Sequence, residues 1–177
     1  MKKQIVILTT LLVFSLIFFS SFIGIANYGD SPGLIQAIGD AGSPNVFTFR
    51  EWSFSKAEML EGKVENIQVE IEINTGSLTT EWKDLEKNIK KKKDYFYVKK
   101  FPKATVVIDG AKALDDEKFK TTAQLTLKGI TKPVDLIFSI EGNTVKGEGL
   151  IQRREFKFTG DGPKNEVPIL FEAELPF

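Results

Sequence analysis

The chain has 177 residues, 24 lysines and arginines against 24 aspartates and glutamates, and neither histidine nor cysteine. Zero formal charge sets aside a strongly basic nucleic-acid binder and an acidic disordered chain. The missing cysteines exclude disulfides, thiolate nucleophiles and thiolate metal sites; the missing histidines remove the commonest general base and metal ligand near neutral pH.

Met1-Lys2-Lys3 is a short basic start, and no charged residue occurs in 5–26. Gly24-Ile25-Ala26 places small residues where an export peptidase reads. Residues 1–26 are therefore expected to be a secretory signal cleaved after Ala26. Because roughly 20 apolar residues also span a bilayer, an uncleaved membrane anchor is the other reading. Either one locates the folded part outside the cytoplasm, in a periplasm or on the outer face of the cytoplasmic membrane. Residues 27–45 are rich in Gly, Asp, Ser and Pro and are expected to form a linker. Within it, Ser31-Pro32 can start a short helix over 34–38 that Gly39 would stop. The folded domain is expected over 46–177.

Apolar and polar residues then alternate. Ile67, Val69, Ile71 and Ile73 point one way and Gln68, Glu70 and Glu72 the other, the pattern of a half-buried strand. Phe47 and Phe49 share one face with Glu51, whereas Trp52 and Phe54 continue the aromatic run on the second face, so a bend is expected near Arg50. The alternation stops in 80–93. There Trp82, Leu85 and Ile89 fall at helical spacing behind a capping Thr80, which predicts a short amphipathic helix ending near Lys93. Strands resume with the rows Ala104, Val106, Ile108; Phe119, Thr121, Ala123, Leu125, Leu127; and Val134, Leu136, Phe138, Ile140. Turns are expected at 129–133, 142–143 and 161–163. Residues 145–158 read as a strand whose Gly147 and Gly149 mark tight curvature or close backbone approach. Val167, Ile169, Phe171, Ala173 and Leu175 form the last row. The whole predicts an all-β antiparallel barrel or sandwich with one short helix.

Nothing in the sequence selects a catalyst. Asp115-Asp116-Glu117 lacks the spacing of a calcium loop, Asp161-Gly162 reads as a turn, and no pair of carboxylates stands out. There is no GxSxG, P-loop or dinucleotide fingerprint. No catalytic residue, metal site or cofactor is assigned. Lys90, Lys91, Lys92 and Lys93, with Lys87 nearby, form the densest charge cluster. They read either as a solvated face or as a contact for anionic lipid headgroups, next to the aromatic Trp82, Tyr95, Phe96 and Tyr97. Single-stranded nucleic acid uses a similar mixture of residues, but an export signal argues against it.

Two stretches carry a family likeness. Asp94-Tyr95-Phe96-Tyr97-Val98-Lys99-Lys100-Phe101-Pro102-Lys103-Ala104 resembles the D-x-F-x-V-x-x-F-P-x-A segment of the YceI-like family. Leu125-Thr126-Leu127-Lys128-Gly129-Ile130-Thr131-Lys132-Pro133-Val134 resembles its LTLxGVTKPV hairpin. Glu70 to Leu78 is similar to the family strand that enters a Ser/Thr turn, and Arg153-Arg154-Glu155-Phe156 to its R-x-D-F segment, with Glu155 in place of Asp. The segment before Ile67 looks short for the two strands many members place there. The resemblance implies an extended, lipocalin-like antiparallel barrel of about eight strands. It also implies an exported protein that holds a polyisoprenoid or a similar quinone-like amphiphile in the barrel.

Alternation identifies an inward face but does not distinguish a packed core from a lined cavity. In a tunnel, the lining would comprise Phe49, Ile67, Val69, Ile71, Phe96, Phe101, Val106, Ile108, Leu125, Leu127, Phe138, Phe156 and Phe171. Arg50, Tyr95, Tyr97 and Arg154 are the candidate polar groups. The expected function is reversible burial of a lipid without covalent chemistry. Two other readings remain: a solid-core barrel whose outer surface binds an envelope protein, and a cofactor-free isomerase or cyclase acting on a lipid inside the barrel.

Overall fold

The computed structural model describes residues 31–40, 44–115, 117–160, 162 and 164–177. The leader or anchor expected over 1–26 lies outside the described residues. Among those described there are eleven strands: β1 (Gly33–Asp40), β2 (Pro44–Phe49), β3 (Trp52–Met59), β4 (Ile67–Asn74), β5 (Leu78–Thr79), β6 (Lys103–Asp109), β7 (Lys112–Ala113), β8 (Phe119–Leu127), β9 (Ile130–Glu141), β10 (Thr144–Gln152) and β11 (Glu166–Glu174). One α-helix, α1 (Lys83–Lys91), stands among them.

The expected eight staves emerge once two bent strands are counted whole. β2 runs into β3 through Arg50 and Glu51, and β4 runs into β5 through the tight turn Thr75–Ser77. With these joined, each stave pairs antiparallel with its neighbour in sequence. The last pairs with the first, β11 against β1, so the sheet curls back on itself. β7 only extends the edge of β8. This up-and-down order needs only local connections, and it pairs the edges that an open sheet would leave exposed.

The second stave must pair with β1 through β2 and with β4 through β3, and it bends to do so. At the bend the Arg50 and Glu51 N–H groups both donate to Ser77 Oγ, at 3.1 and 3.0 Å, and Ser77 donates onward to the Asn74 carbonyl at 2.7 Å. Ser31 Oγ accepts from the Trp52 N–H at 3.2 Å and donates to the Arg50 carbonyl at 2.6 Å. Two serine hydroxyls thus replace ladder bonds where the strand turns. The two-residue break also explains the sequence pattern: Phe47 and Phe49 before it and Trp52 and Phe54 after it all face the interior.

Two other features fix the curvature. Lys128 and Gly129 both have positive φ, 52° and 74°, so β8 and β9 join by a two-residue turn of the mirror-image type that suits twisted strands. The turn expected at 129–133 is therefore shorter, and Pro133 lies within β9. On β10, a Cβ at Gly147 would stand 2.6 Å from the Ile137 carbonyl and 2.3 Å from the Phe171 ring. The bare backbone lets Phe171 fill that space.

Two expectations need correction. Residues 33–40, read as linker or short helix, form stave β1, because lying between β11 and β2 completes two ladders that an isolated five-residue helix would forgo. This stave supplies what looked missing before Ile67. The strand expected over 145–158 stops at Gln152, where the chain enters the tight turn Arg153–Phe156 and Lys157 takes a left-handed conformation.

Ser77→Ala should lower stability by about 2 kcal/mol, because two N–H groups lose their acceptor together. Ser55→Ala, which removes one exposed bond to the Glu70 carbonyl, should cost a few tenths; denaturant titration of both variants checks this. Gly147→Ala should cost about 1–3 kcal/mol through overpacking against backbone that cannot yield, read in the same titration.

Candidate functional site

The staves enclose a cavity of about 280 Å³, close to the lower end of ligand pockets, about 300–1,000 Å³. Its walls are Ile, Leu, Val, Phe and Ala side chains drawn from every stave. Phe47, Phe54, Ile71, Val106, Ile108 and Phe171 face inward, yet each is only half-buried. An inward apolar side chain that keeps exposed surface faces open space rather than protein. That observation separates a lined cavity from a packed core.

The cavity reaches the surface at one end. The β1–β11 ladder ends at the pair Ala37–Ile169; beyond it β1 continues to Asp40 and β11 back to Glu166 without pairing to each other. Next in line is Pro168, which has no N–H to offer a neighbour. Lining residues on the two sides of this seam include Gly39 and Asn45, and Lys164, Glu166 and Val167; Lys164 and Glu166 are exposed. The polar and charged residues of the lining, Gln36, Asn45, Tyr95, Arg153, Lys164 and Glu166, gather towards this end, and the rest of the wall is apolar. Arg153 organises the rim. Its guanidinium donates to the carbonyls of Lys164 (2.7 Å), Gly160 (2.8 Å) and Gly162 (2.7 Å).

Of the thirteen positions named for a tunnel, eleven line this cavity: Phe49, Ile67, Val69, Ile71, Phe96, Val106, Ile108, Leu125, Leu127, Phe138 and Phe171. Phe101 does not. It precedes β6, where the chain has turned through Tyr97 (φ 50°), and its ring lies in an outer cleft with Tyr97 and under Lys100 Nζ. Phe156 does not either; it is 1% exposed and sealed within protein in the turn after β10. Among the polar candidates, Tyr95 lines the cavity and Tyr97 the outer cleft. Arg50 sits outside on the bend, its Nε donating to Thr79 Oγ1, and Arg154 is exposed. Arg153 was missed, although period-two counting from Val145 through Ile151 reaches it rather than Arg154.

The YceI-like domain family matches residues 40–175. The chain belongs to the YceI-like family. A UPF0312 protein of Photorhabdus laumondii is 31% identical over 139 residues, 72% of this chain and 71% of its own length. Among solved structures, BcnA of Burkholderia cenocepacia superposes with a TM-score of 0.65 at 24% identity, over 79% of this chain and 94% of that one. A polyisoprenoid-binding domain from Saccharophagus degradans, implicated in plant cell wall breakdown, does so with 0.58 at 13% identity, over 81% and 94%. These structural likenesses speak for the fold.

In this YceI-like barrel the cavity is roofed by aromatic rings. Phe96 packs edge-on against Phe49 (5.8 Å) and Phe158 (4.9 Å). The roof is clasped from outside. The Asp94 carbonyl accepts from the N–H groups of Thr159 and Gly160, and Asp94 Oδ1 from Thr159 Oγ1. Lys128 Nζ donates to the carbonyls of Lys93 and Lys157 and lies 4.9 Å from the Phe158 ring. Burial there pulls the Lys128 ammonium below the ordinary lysine range.

α1 completes the roof by burying Ile89 and half-burying Leu85, with acids in its first turn and lysines in its last, as the helix dipole favours. Trp82 does not join the buried face; it is 56% exposed. Lys87, Lys91, Lys92 and Lys93 are exposed, whereas Lys90 is half-buried and holds Glu86 at 2.9 Å. Glu86 is held at about 2, chiefly by the Lys90 hydrogen bond, with burial opposing and Lys83 and the Thr80 N–H assisting. The unfolded carboxyl titrates near 4.5. Its contribution is therefore complete above that pH and is lost as pH falls towards 2. Glu86→Gln should cost about 1 kcal/mol near pH 7 and flatten the fall in Tm on acidification through that window. A thermal-unfolding pH series reads both effects.

Proposed function

We propose that this protein takes a long, isoprenoid-like lipid tail into its barrel and sequesters or carries it outside the cytoplasm. The observation that carries this reading is the cavity whose inward apolar walls face open space. Burial is worth roughly 0.8 kcal/mol per CH₂, so each five-carbon isoprene unit gains on the order of 3–4 kcal/mol before ordering costs. An apolar wall therefore needs few polar contacts, and the polar rim at the seam suits the end of an amphiphile that stays wet. A solid-core barrel is a poor description of this interior, and burial alone requires no covalent step. Membership of the YceI-like family supports the reading, as does the name of the Saccharophagus domain, a distant structural relative.

Export belongs to the same proposal. Its support is the basic start followed by the uncharged stretch 5–26. The exposed Lys87, Lys91, Lys92 and Lys93, with Lys90 beside them, would face anionic headgroups during loading and release.

Native mass spectrometry of the protein from the exported fraction, with organic extraction of what co-purifies, tests the proposal. A discrete added mass that extracts as an isoprenoid is expected, and Leu127→Arg, which places a charge against the apolar wall, should abolish it. An apo mass, unchanged after incubation with solanesol and with a long-tailed quinone, would overturn the proposal.

A further inference from the structure

The outer wall beside the seam carries apolar side chains at adjacent ladder positions. Leu150 of β10 stands opposite Pro168 of β11, and Ile38 of β1 opposite Val46 of β2. Pro168 and Ile38 face each other across the seam, one step past the Ala37–Ile169 pair. Their chain neighbours Ile151, Val167, Ala37 and Phe47 line the cavity, so strand alternation turns these four outward. Leu150 and Val46 are 45% and 42% exposed. Beyond β2 lies β5, and Trp82 follows it at the start of α1.

Charge is sorted along the same axis. Among the described residues, the seam end is formed by 40, 44–45, 81–101, 128–129, 152–160, 162 and 164–166; the opposite end by 58–66, 109–115, 117–120, 141–144 and 174–177. Among the described residues, the seam end carries thirteen lysines and arginines against seven acidic residues, and the opposite end eight acidic residues against four lysines. The zero formal charge of the chain conceals a basic end and an acidic end.

We infer that the barrel docks seam-first on an anionic lipid bilayer, with Ile38, Val46, Leu150, Pro168 and Trp82 seated in the interface. Three observations on one end favour a bilayer over a protein partner. The apolar side chains occupy adjacent ladder positions on the outer wall at that end. An exposed tryptophan, a residue that membrane interfaces favour, stands at the start of α1 on the same end. The surrounding excess is basic, and each such residue strengthens partition onto an anionic surface by about fivefold. The opposite end would be repelled, so orientation is set before contact. The inference deepens the membrane contact proposed above and makes the seam the lateral entry for the lipid; it rests on that reading only for the identity of the cargo.

The chain has no cysteine, so single cysteines label cleanly. An environment-sensitive dye is attached to the full chain at Val46→Cys, Leu150→Cys, Leu60→Cys or Leu114→Cys. Vesicles of phosphatidylglycerol with phosphatidylcholine are then added. The dyes at 46 and 150 should shift to the blue and those at 60 and 114, at the opposite end, should not. The double variant Lys87→Glu/Lys91→Glu should weaken the response about tenfold or more. A shift at all four positions, only at 60 and 114, or at none overturns the inference. So does a shift at 46 and 150 that needs only higher protein concentration, which would give the row to a second copy. Leu127→Arg separates the two proposals. Docking that survives while wild-type protein takes up no lipid sinks the cargo reading alone; lipid uptake without the dye response sinks docking alone.

Discussion

Closure of the ring rests on one bent stave. A strand that must pair with β1 at one end and with β4 at the other cannot stay straight, and bending it breaks ladder bonds. The chain meets the cost locally. Ser77 accepts two N–H groups at the bend and donates to Asn74, using its full hydrogen-bonding capacity. Those bonds also tie the bend to the Thr75–Ser77 turn of the next stave. Thr75 then bonds Phe101 and Pro102 and anchors the segment that leads to the roof. Stave pairing, roof and cavity therefore share a few polar contacts at one corner.

The hollow interior has a thermodynamic consequence. By the cavity scale of core-truncation experiments, 280 Å³ left unfilled is worth on the order of 7 kcal/mol, comparable to the whole stability of a domain. A fold that forgoes this depends on its other terms: ladders on both sides of its main staves, and rings packed where the wall is thin. Gly147 shows the balance. A larger residue there would fill space, but the wall uses the bare backbone to admit Phe171. A lipid that enters such a cavity recovers part of the forgone contact energy, so binding and stability are linked.

What the sequence made legible follows from period two. Eleven of the thirteen lining positions lie on the cavity because alternation, helped by the family likeness, marks an inward face whether the space behind it is full or empty. The failures lie where the backbone leaves that period. Phe101 follows a left-handed residue and Phe156 sits in a tight turn, and neither irregularity shows in an apolar pattern. Arg153 was within reach of simple counting, yet its use of carbonyl acceptors depends on where the chain folds back. Residues 33–40 look like a linker because Gly and Pro dominate their flanks; only β11, more than 120 residues later, makes a strand of them. Emptiness itself is not encoded locally, since the same side chains could interlock.

Composition and arrangement also diverge in charge. A count of 24 against 24 reads as electrostatic neutrality, but an up-and-down barrel sends alternate connections to opposite ends. Any bias between odd and even connections therefore becomes an axial dipole. Here the connection bearing α1 and the one from β10 to β11 carry more lysine and arginine than acid, and the one at 58–66 carries more acid than lysine. The seam opens at the basic end because the β1–β11 ladder stops there, beside a proline that has no N–H to extend it. One topological fact thus joins two properties that seem separate in the sequence: where the wall parts and where positive charge collects.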